Sequence, residues 1–146
     1  MTNYQTDIIN EIKSRLTGLT TFKLVGEYPE DNHKFGTQYP VAFVVDEAET
    51  FSIRAGNILV SEYDISIFVS CNDRIKRVEL ISDLQARVIT AILTGDNLSG
   101  LAGTVDLVSI EKGEYSNQLE KFDVGYNESK TNRRINFKIG VCNYAY

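Results

Sequence analysis

The residues best suited to metal or acid–base chemistry surround the only histidine, His33. Glu27, Glu30 and Asp31 lie within a few residues of it, and carboxylates together with an imidazole can bind a divalent metal ion. Their spacing fits neither one face of a helix nor a known ligand motif, and the neighbouring Pro and Gly residues indicate a loop over residues 28–36. A solvated loop is therefore the better interpretation, and we expect no metal ion and no cofactor.

Two pairs of acidic residues could act as catalytic carboxylate dyads. The pairs are Asp46 with Glu47 and Glu62 with Asp64. They lie on alternating faces of a strand or among exposed residues, so a charged strand surface is the better interpretation. Nucleophilic catalysis would need an activated Ser or Cys beside a base. The sequence has no G-x-S-x-G motif, and nothing marks its histidine as a base. We predict that the chain is not an enzyme.

Two further motifs could contact phosphate, but neither has the required context. Residues 100–103 are rich in glycine, yet they open a strand and no G-K-[ST] follows, which argues against a P-loop. Lys130, Arg133 and Arg134 form a small basic cluster that could touch an acidic partner or DNA. The chain has 20 acidic and 15 basic residues and a net charge of −5. Since a nucleic-acid-binding surface needs clustered Lys and Arg, we expect no firm grip on DNA.

The bulk properties predict one domain over residues 1–146. Its 42% apolar and 24% charged residues are the usual globular mixture. Cys71 and Cys142 form no C-x-x-C pair and lie in strand-like stretches, which favours two reduced, packed thiols over a disulfide. The N-terminus lacks the features of a signal peptide, and no window approaches the roughly 20 apolar residues of a membrane span. We therefore expect a protein of the cytoplasm.

Hydrophobic spacing predicts two helices and several strands. Helical periodicity extends over residues 4–19, and again from a cap at Asn72 or Asp73 to about Leu93. Shorter strands are expected at residues 22–27, 104–113 and 135–142, with a turn over residues 95–103. The element order predicts an α+β fold: a mostly antiparallel sheet of four to five strands with two helices packed on one face, a long protruding β-hairpin and a long polar loop.

The hairpin and the polar loop are the most informative elements. Two alternating arms of about 14 residues flank a turn at residues 55–57, whereas strands usually have about 5–6 residues. Acidic residues at Glu47, Glu49, Glu62 and Asp64 interrupt the apolar pattern, so we expect the hairpin to stand partly clear of its own core and to lean on a neighbour. Long loops are commonly functional. We expect residues 114–131 to bind a partner, with a loop folded back on the domain as the alternative.

This layout resembles the tail terminator (tail completion) proteins of long-tailed bacteriophages and related contractile injection systems. The likeness is carried by the amphipathic opening helix, a Pro-led strand at residues 39–45, the hairpin return at residues 62–69, the second helix and the closing strand at residues 134–141. It spans nearly the full chain and lies in the order and length of the elements. A tail-tube or head–tail joining ring protein would have a similar layout.

The resemblance implies a structural protein of the virion tail that is assembled in the host cytoplasm and has no catalytic residue. Such proteins form a hexameric ring that caps the tail tube, ends its growth and provides the surface that joins the head. Its partners would be further copies, the tail tube protein, a head-completion or neck protein and, where present, a sheath. DNA would pass through without sequence-specific binding.

The hairpin and loop arguments select seven candidate interface residues: Phe51, Arg54, Asn57, Tyr115, Phe122, Tyr126 and Arg134. A stand-alone α+β adaptor or ligand-binding domain is the alternative from another class, and an open pocket with converging polar groups would favour it. A small hydrolase is a third interpretation, which would need a carboxylate pair about 5–9 Å apart in a cleft.

Overall fold

The computed structural model describes residues 4–27, 40–54, 58–72, 77–112 and 130–144. Its elements are α1 (Tyr4–Gly18), β1 (Leu24–Glu27), β2 (Val41–Arg54), β3 (Ile58–Asn72), α2 (Arg77–Leu93), β4 (Thr104–Lys112) and β5 (Lys130–Tyr144). The predicted α+β class is confirmed. α1 begins and ends, and α2 ends, close to the residues that the periodicity predicted, because each helix buries one continuous apolar stripe. The predicted start of the second helix, after a cap at Asn72 or Asp73, falls in residues 73–76, outside the described residues.

Within the described residues, five strands form one sheet in the order β1-β2-β3-β5-β4. β1 runs parallel to β2 and pairs with residues 41–44, whereas the other neighbours are antiparallel. The sheet is therefore mixed but mostly antiparallel. The parallel pair did not follow from the sequence, because alternation indicates a strand without indicating its direction.

The predicted long hairpin is β2 and β3, with 14 and 15 residues. Within the sheet this hairpin is flanked by a third strand. β5 has 15 residues and pairs with β3 over its whole length, from Ile58 opposite Tyr144 to Asn72 opposite Lys130. The closing strand is thus longer than the sequence indicated, and it supports the hairpin up to the turn.

A β-bulge explains the acidic interruption in β2. The register shifts between Asp46 and Ala48, so Glu47 is an extra residue opposite β3. Since side chains alternate between faces, one extra residue exchanges the two faces beyond it. Val44 lies on the helix-covered face before the bulge, and Phe51 lies on that side after it.

The main core lies between this face of the sheet and the two helices. It joins the buried stripes of α1 and α2 to alternate residues of the strands. Its largest fully buried members are Phe137, Ile8, Ile12, Leu16, Ile65, Ile67, Ile81, Leu84, Ile92 and Leu98. Both helices therefore pack on one face, as predicted.

A second, smaller apolar cluster lies on the opposite face of the sheet. Val41, Phe43, Val45 and Phe68 are buried there, with Leu24 packed against them. The first half of β2 is consequently buried on both faces, which accounts for its continuous apolar run from residue 41 to residue 45.

The two cysteines cannot form a disulfide with each other in this fold. Cys142 is paired with Val60, and Cys71 lies eleven residues further along β3, a separation of roughly 36 Å. A disulfide requires Cα atoms within about 7 Å. Cys71 is buried in the main core, as the sequence predicted.

The segment between α2 and β4 is fixed by Arg15 of α1. Its guanidinium contacts the carboxylates of Asp96 at 2.6 Å and Glu11 at 2.8 Å, and it donates a hydrogen bond to the carbonyl of Ala91 at 3.0 Å. The hydrogen bond from Arg15 lowers the pKa of Asp96. Asn97, Leu98 and Ser99 follow with positive φ angles of 49°, 57° and 60°. The buried Leu98 anchors this left-handed turn, which leads the chain into β4.

Gly140 marks a close approach between β5 and β4. A Cβ atom at this position would lie 2.6 Å from Oγ1 of Thr104, and the carbonyl of Gly140 accepts a hydrogen bond from the N–H of Gly103 at 2.8 Å. We predict that Gly140→Ala lowers the free energy of unfolding by about 1–2 kcal/mol through overpacking. Denaturant unfolding measures the change.

Thr104→Ala in the Gly140→Ala background should recover most of the loss, because it removes the clashing hydroxyl. Gly18→Ala is the matched control, since no atom lies within 4 Å of the added Cβ. An equal loss in both Gly→Ala variants would contradict the steric explanation.

Candidate assembly surface

Two of the seven predicted interface residues have described side chains, Phe51 and Arg134. Arg54 is the last residue of β2, but its side chain lies outside the described part, as do Asn57, Tyr115, Phe122 and Tyr126. The region around His33 also lies outside the described part of the chain. So does the predicted loop at residues 114–131, except for its last two residues, which begin β5. These predictions stay predictions.

Arg134 lies on β5, on the sheet face opposite the helices, and it has several partners within the chain. Its guanidinium lies 2.6 Å from the carboxylate of Glu47 and 3.4 Å from that of Glu111, and 5.4 Å from the centre of the Phe68 ring. One side chain thus links β2, β3 and β4 to β5. Its role at an interface stays a prediction, while its role within the sheet is evident.

A polar network extends this link across the sheet. Arg134 donates to the hydroxyl of Ser66 at 3.3 Å, and Ser66 donates to the amide oxygen of Asn136 at 2.6 Å. The amide nitrogen of Asn136 donates to Ser109 at 2.9 Å and to Glu111 at 3.0 Å. Ser66 is 2% exposed, so these bonds satisfy a polar group that burial would otherwise make costly.

We predict a measurable coupling between Arg134 and Glu47. In a double-mutant cycle with Arg134→Gln and Glu47→Gln, the coupling free energy should be about 1 kcal/mol, since both side chains are about three-quarters buried. The control is the exposed helical pair of Arg87 and Asp83, whose charged groups lie 2.8 Å apart. Its coupling free energy should be about 0.3–0.5 kcal/mol. Equal couplings would contradict a special role for the sheet network.

An acidic groove lies beside the bulge of β2. This groove has a volume of about 540 Å³ and is lined by Gln5, Thr6, Ile9, Glu27, Val44, Val45 and Asp46. The side-chain amide of Gln5 donates to Oδ2 of Asp46. Oδ1 of Asp46 is buried and has no hydrogen-bond partner among the described residues. The groove thus contains a carboxylate oxygen whose hydrogen-bonding capacity is unused.

Burial raises the pKa of Asp46, and the nearby charges of Glu49, Glu47 and Asp64 raise it further. The neighbouring Tyr63 behaves similarly, because burial and a hydrogen bond to Glu49 raise its pKa to about 12. Asp46 therefore holds its negative charge at a cost to the folded chain near neutral pH.

We predict that Asp46→Asn increases the stability of the single, unassembled chain near pH 7. A carboxyl whose pKa is higher in the folded state stabilises the fold while it is protonated, and this contribution is lost as the pH rises through the folded pKa. The advantage of the variant should therefore shrink as the pH is lowered towards 4. Urea unfolding of both proteins between pH 4 and 7.5 measures this.

Asp106→Asn on the exposed part of β4 is the control for the loss of one negative charge, and it should leave stability near pH 7 unaltered. An Asp46→Asn variant that is less stable than the parent at every pH would show that the carboxylate makes an essential contact instead.

Two strand edges are open within the described part of the chain. β1 covers the outer side of β2 only along residues 41–44, which leaves residues 45–54, here called the free edge of β2. β4 is the last strand on the other side of the sheet. Apolar side chains are exposed at both edges: Phe51 at 61%, Val108 at 59% and Leu107 at 36%.

Sequence reasoning selected Phe51 but missed Leu107 and Val108. The available signal was their adjacency within a strand, which breaks the alternation of apolar and polar residues. The structure places a second bulge there, with a register shift between Leu107 and Ser109.

Comparison with protein-family models and with curated proteins finds no match for this chain. In the described ranges, no group of three or more His, Cys, Asp or Glu residues is arranged to hold a metal ion. No helix in those ranges is long and apolar enough to cross a membrane.

Proposed function

We propose that this chain is a structural protein of phage assembly, of the tail terminator class. In this role it forms a hexameric ring on the tail tube, ends tube growth and presents a surface to the head. The observation that carries the proposal is the pair of open sheet edges with exposed apolar side chains, at Phe51 on one edge and Val108 on the other.

The arrangement of the elements supports this proposal. An opening helix, a long hairpin, a second helix and a closing strand occur in the order on which the resemblance rests. Open edges normally threaten uncontrolled pairing. A closed ring removes that threat because each copy covers an edge of the next. The net charge of −5 suits a ring through which DNA passes without adhering.

A ligand-binding or adaptor domain is the second candidate, and the acidic groove favours it. The groove volume falls in the usual range of small-molecule sites, about 300–1,000 Å³. Its polar groups, from Gln5, Glu27 and Asp46, would select a small cation such as an amine. A tail-tube or neck ring protein remains the alternative within the first class.

The deciding experiment measures the mass of the chain at high concentration, by light scattering or native mass spectrometry, with negative-stain imaging. Each copy has a mass of 16.4 kDa, and we expect closed rings of six copies. Long open tubes would favour a tube protein. Addition of the chain to a polymerising tail tube should halt its growth, and undiminished growth would refute the proposal.

A further inference from the structure

The two open edges of the sheet have compatible directions. β2, β3, β5 and β4 are each antiparallel to the next, so β4 runs opposite to β2. A second copy in the same orientation would therefore place its β4 antiparallel to the free edge of β2. The helices of both copies would lie on the same side. Because different edges meet, this contact repeats from copy to copy and is compatible with a ring.

In one register of this antiparallel contact, the side chains paired across the two edges lie on the same side of the sheet. Beyond its bulge, β2 has Phe51 on the helix side, and β4 has Leu107 there, opposite the core residue Phe137. With Phe51 placed opposite Leu107 of the next copy, the bulge residues Glu47 and Val108 are both left out of the pairing. Bulges discourage indiscriminate edge pairing. A register that leaves both bulge residues unpaired would therefore favour this contact between copies over other pairings of the same edges.

The same register brings an exposed cation to the acidic groove. Counting along the two edges from Phe51 and Leu107, Asp46 falls opposite Lys112 of the next copy, again on the helix side. Lys112 is exposed at the end of β4. Asp46 has the unpartnered Oδ1, and Glu27 lines the same groove at the end of β1. A lysine side chain entering there would supply the missing hydrogen-bond donor and a positive charge.

We propose that the free edge of β2 pairs with β4 of a second copy of this chain, with Phe51 packed on Leu107 and Lys112 inserted into the acidic groove beside Asp46. The inference rests on the proposed function, since it specifies how the copies of the ring meet. The groove then belongs to the contact between copies and is not a small-molecule site.

Disulfide cross-linking tests this register. Phe51→Cys combined with Leu107→Cys cannot cross-link within one copy, because β3 and β5 separate the two strands by roughly 14 Å. Mild oxidation should instead yield dimers, trimers and higher species, since paired residues have Cβ atoms about 4.5–5.5 Å apart. Phe51→Cys with Asp106→Cys is the matched control, because residue 106 points to the opposite face, and it should cross-link at least tenfold less.

The parent chain controls for Cys71 and Cys142, and each single variant controls for symmetric contacts. A Leu107→Cys variant that forms only dimers would indicate two-fold pairing of β4 with itself and overturn the proposal. The absence of cross-linked species from the double variant would overturn it as well.

Charge reversal tests the groove separately. Lys112→Glu should raise the concentration needed for self-association at least tenfold, because it places a like charge against Asp46. Lys23→Glu, an exposed position before β1, makes the same change in net charge and should leave association unaltered. Circular dichroism checks that both variants fold.

The two proposals can fail independently. Rings that form equally well from Lys112→Glu and from the parent chain would overturn the edge contact and leave the terminator function standing. A chain that cross-links as expected but does not halt tube growth would keep the edge contact and overturn the function.

Discussion

The structure depends on the pairing of β3 with β5 along its whole length and with β2 along residues 58–70. Hydrogen bonds to β2 on one side and to β5 on the other fix the register of the three longest strands. A strand in this central position can be buried on both faces, and β3 is: Ile65 and Ile67 lie under the helices, while Ser66 and Phe68 are buried on the opposite face. The buried Ser66 then requires a polar partner.

Arg134 and Asn136 supply that partner from β5, and in doing so they connect the four longest strands. Ion pairs at a protein surface usually contribute little. Here the carboxylates of Glu47 and Glu111 hold the guanidinium over Phe68, where it covers an aromatic ring and satisfies a buried hydroxyl. The network therefore matters mainly for the alignment of the strands, and hence for the positions of both edges.

The sequence predicted the helices, the hairpin turn and the α+β class, because these follow from local periodicity. It did not predict the length of β5, since residues 130–134 are polar and lack an alternating pattern. The interruption at Glu47 and Glu49 did not reveal its cause, which is an extra residue that exchanges the two faces of β2. The groove beside Asp46 was not predictable, because Gln5 approaches it from a helix 41 residues earlier in the chain.

The bulge in β2 also determines what the acidic groove can accept. Asp46 lies before the bulge, on the helix side and beside Gln5 of α1. The extra residue then brings Phe51, further along the edge, to the same side. A small cation in this groove would satisfy Asp46 but leave the outward-facing backbone N–H and C=O groups along the free edge of β2 unpaired. A β-strand that ends in a lysine satisfies both requirements at once. Because unpaired strand edges are costly to leave exposed in an assembling protein, a neighbouring strand accounts for more of this surface than a free ligand does.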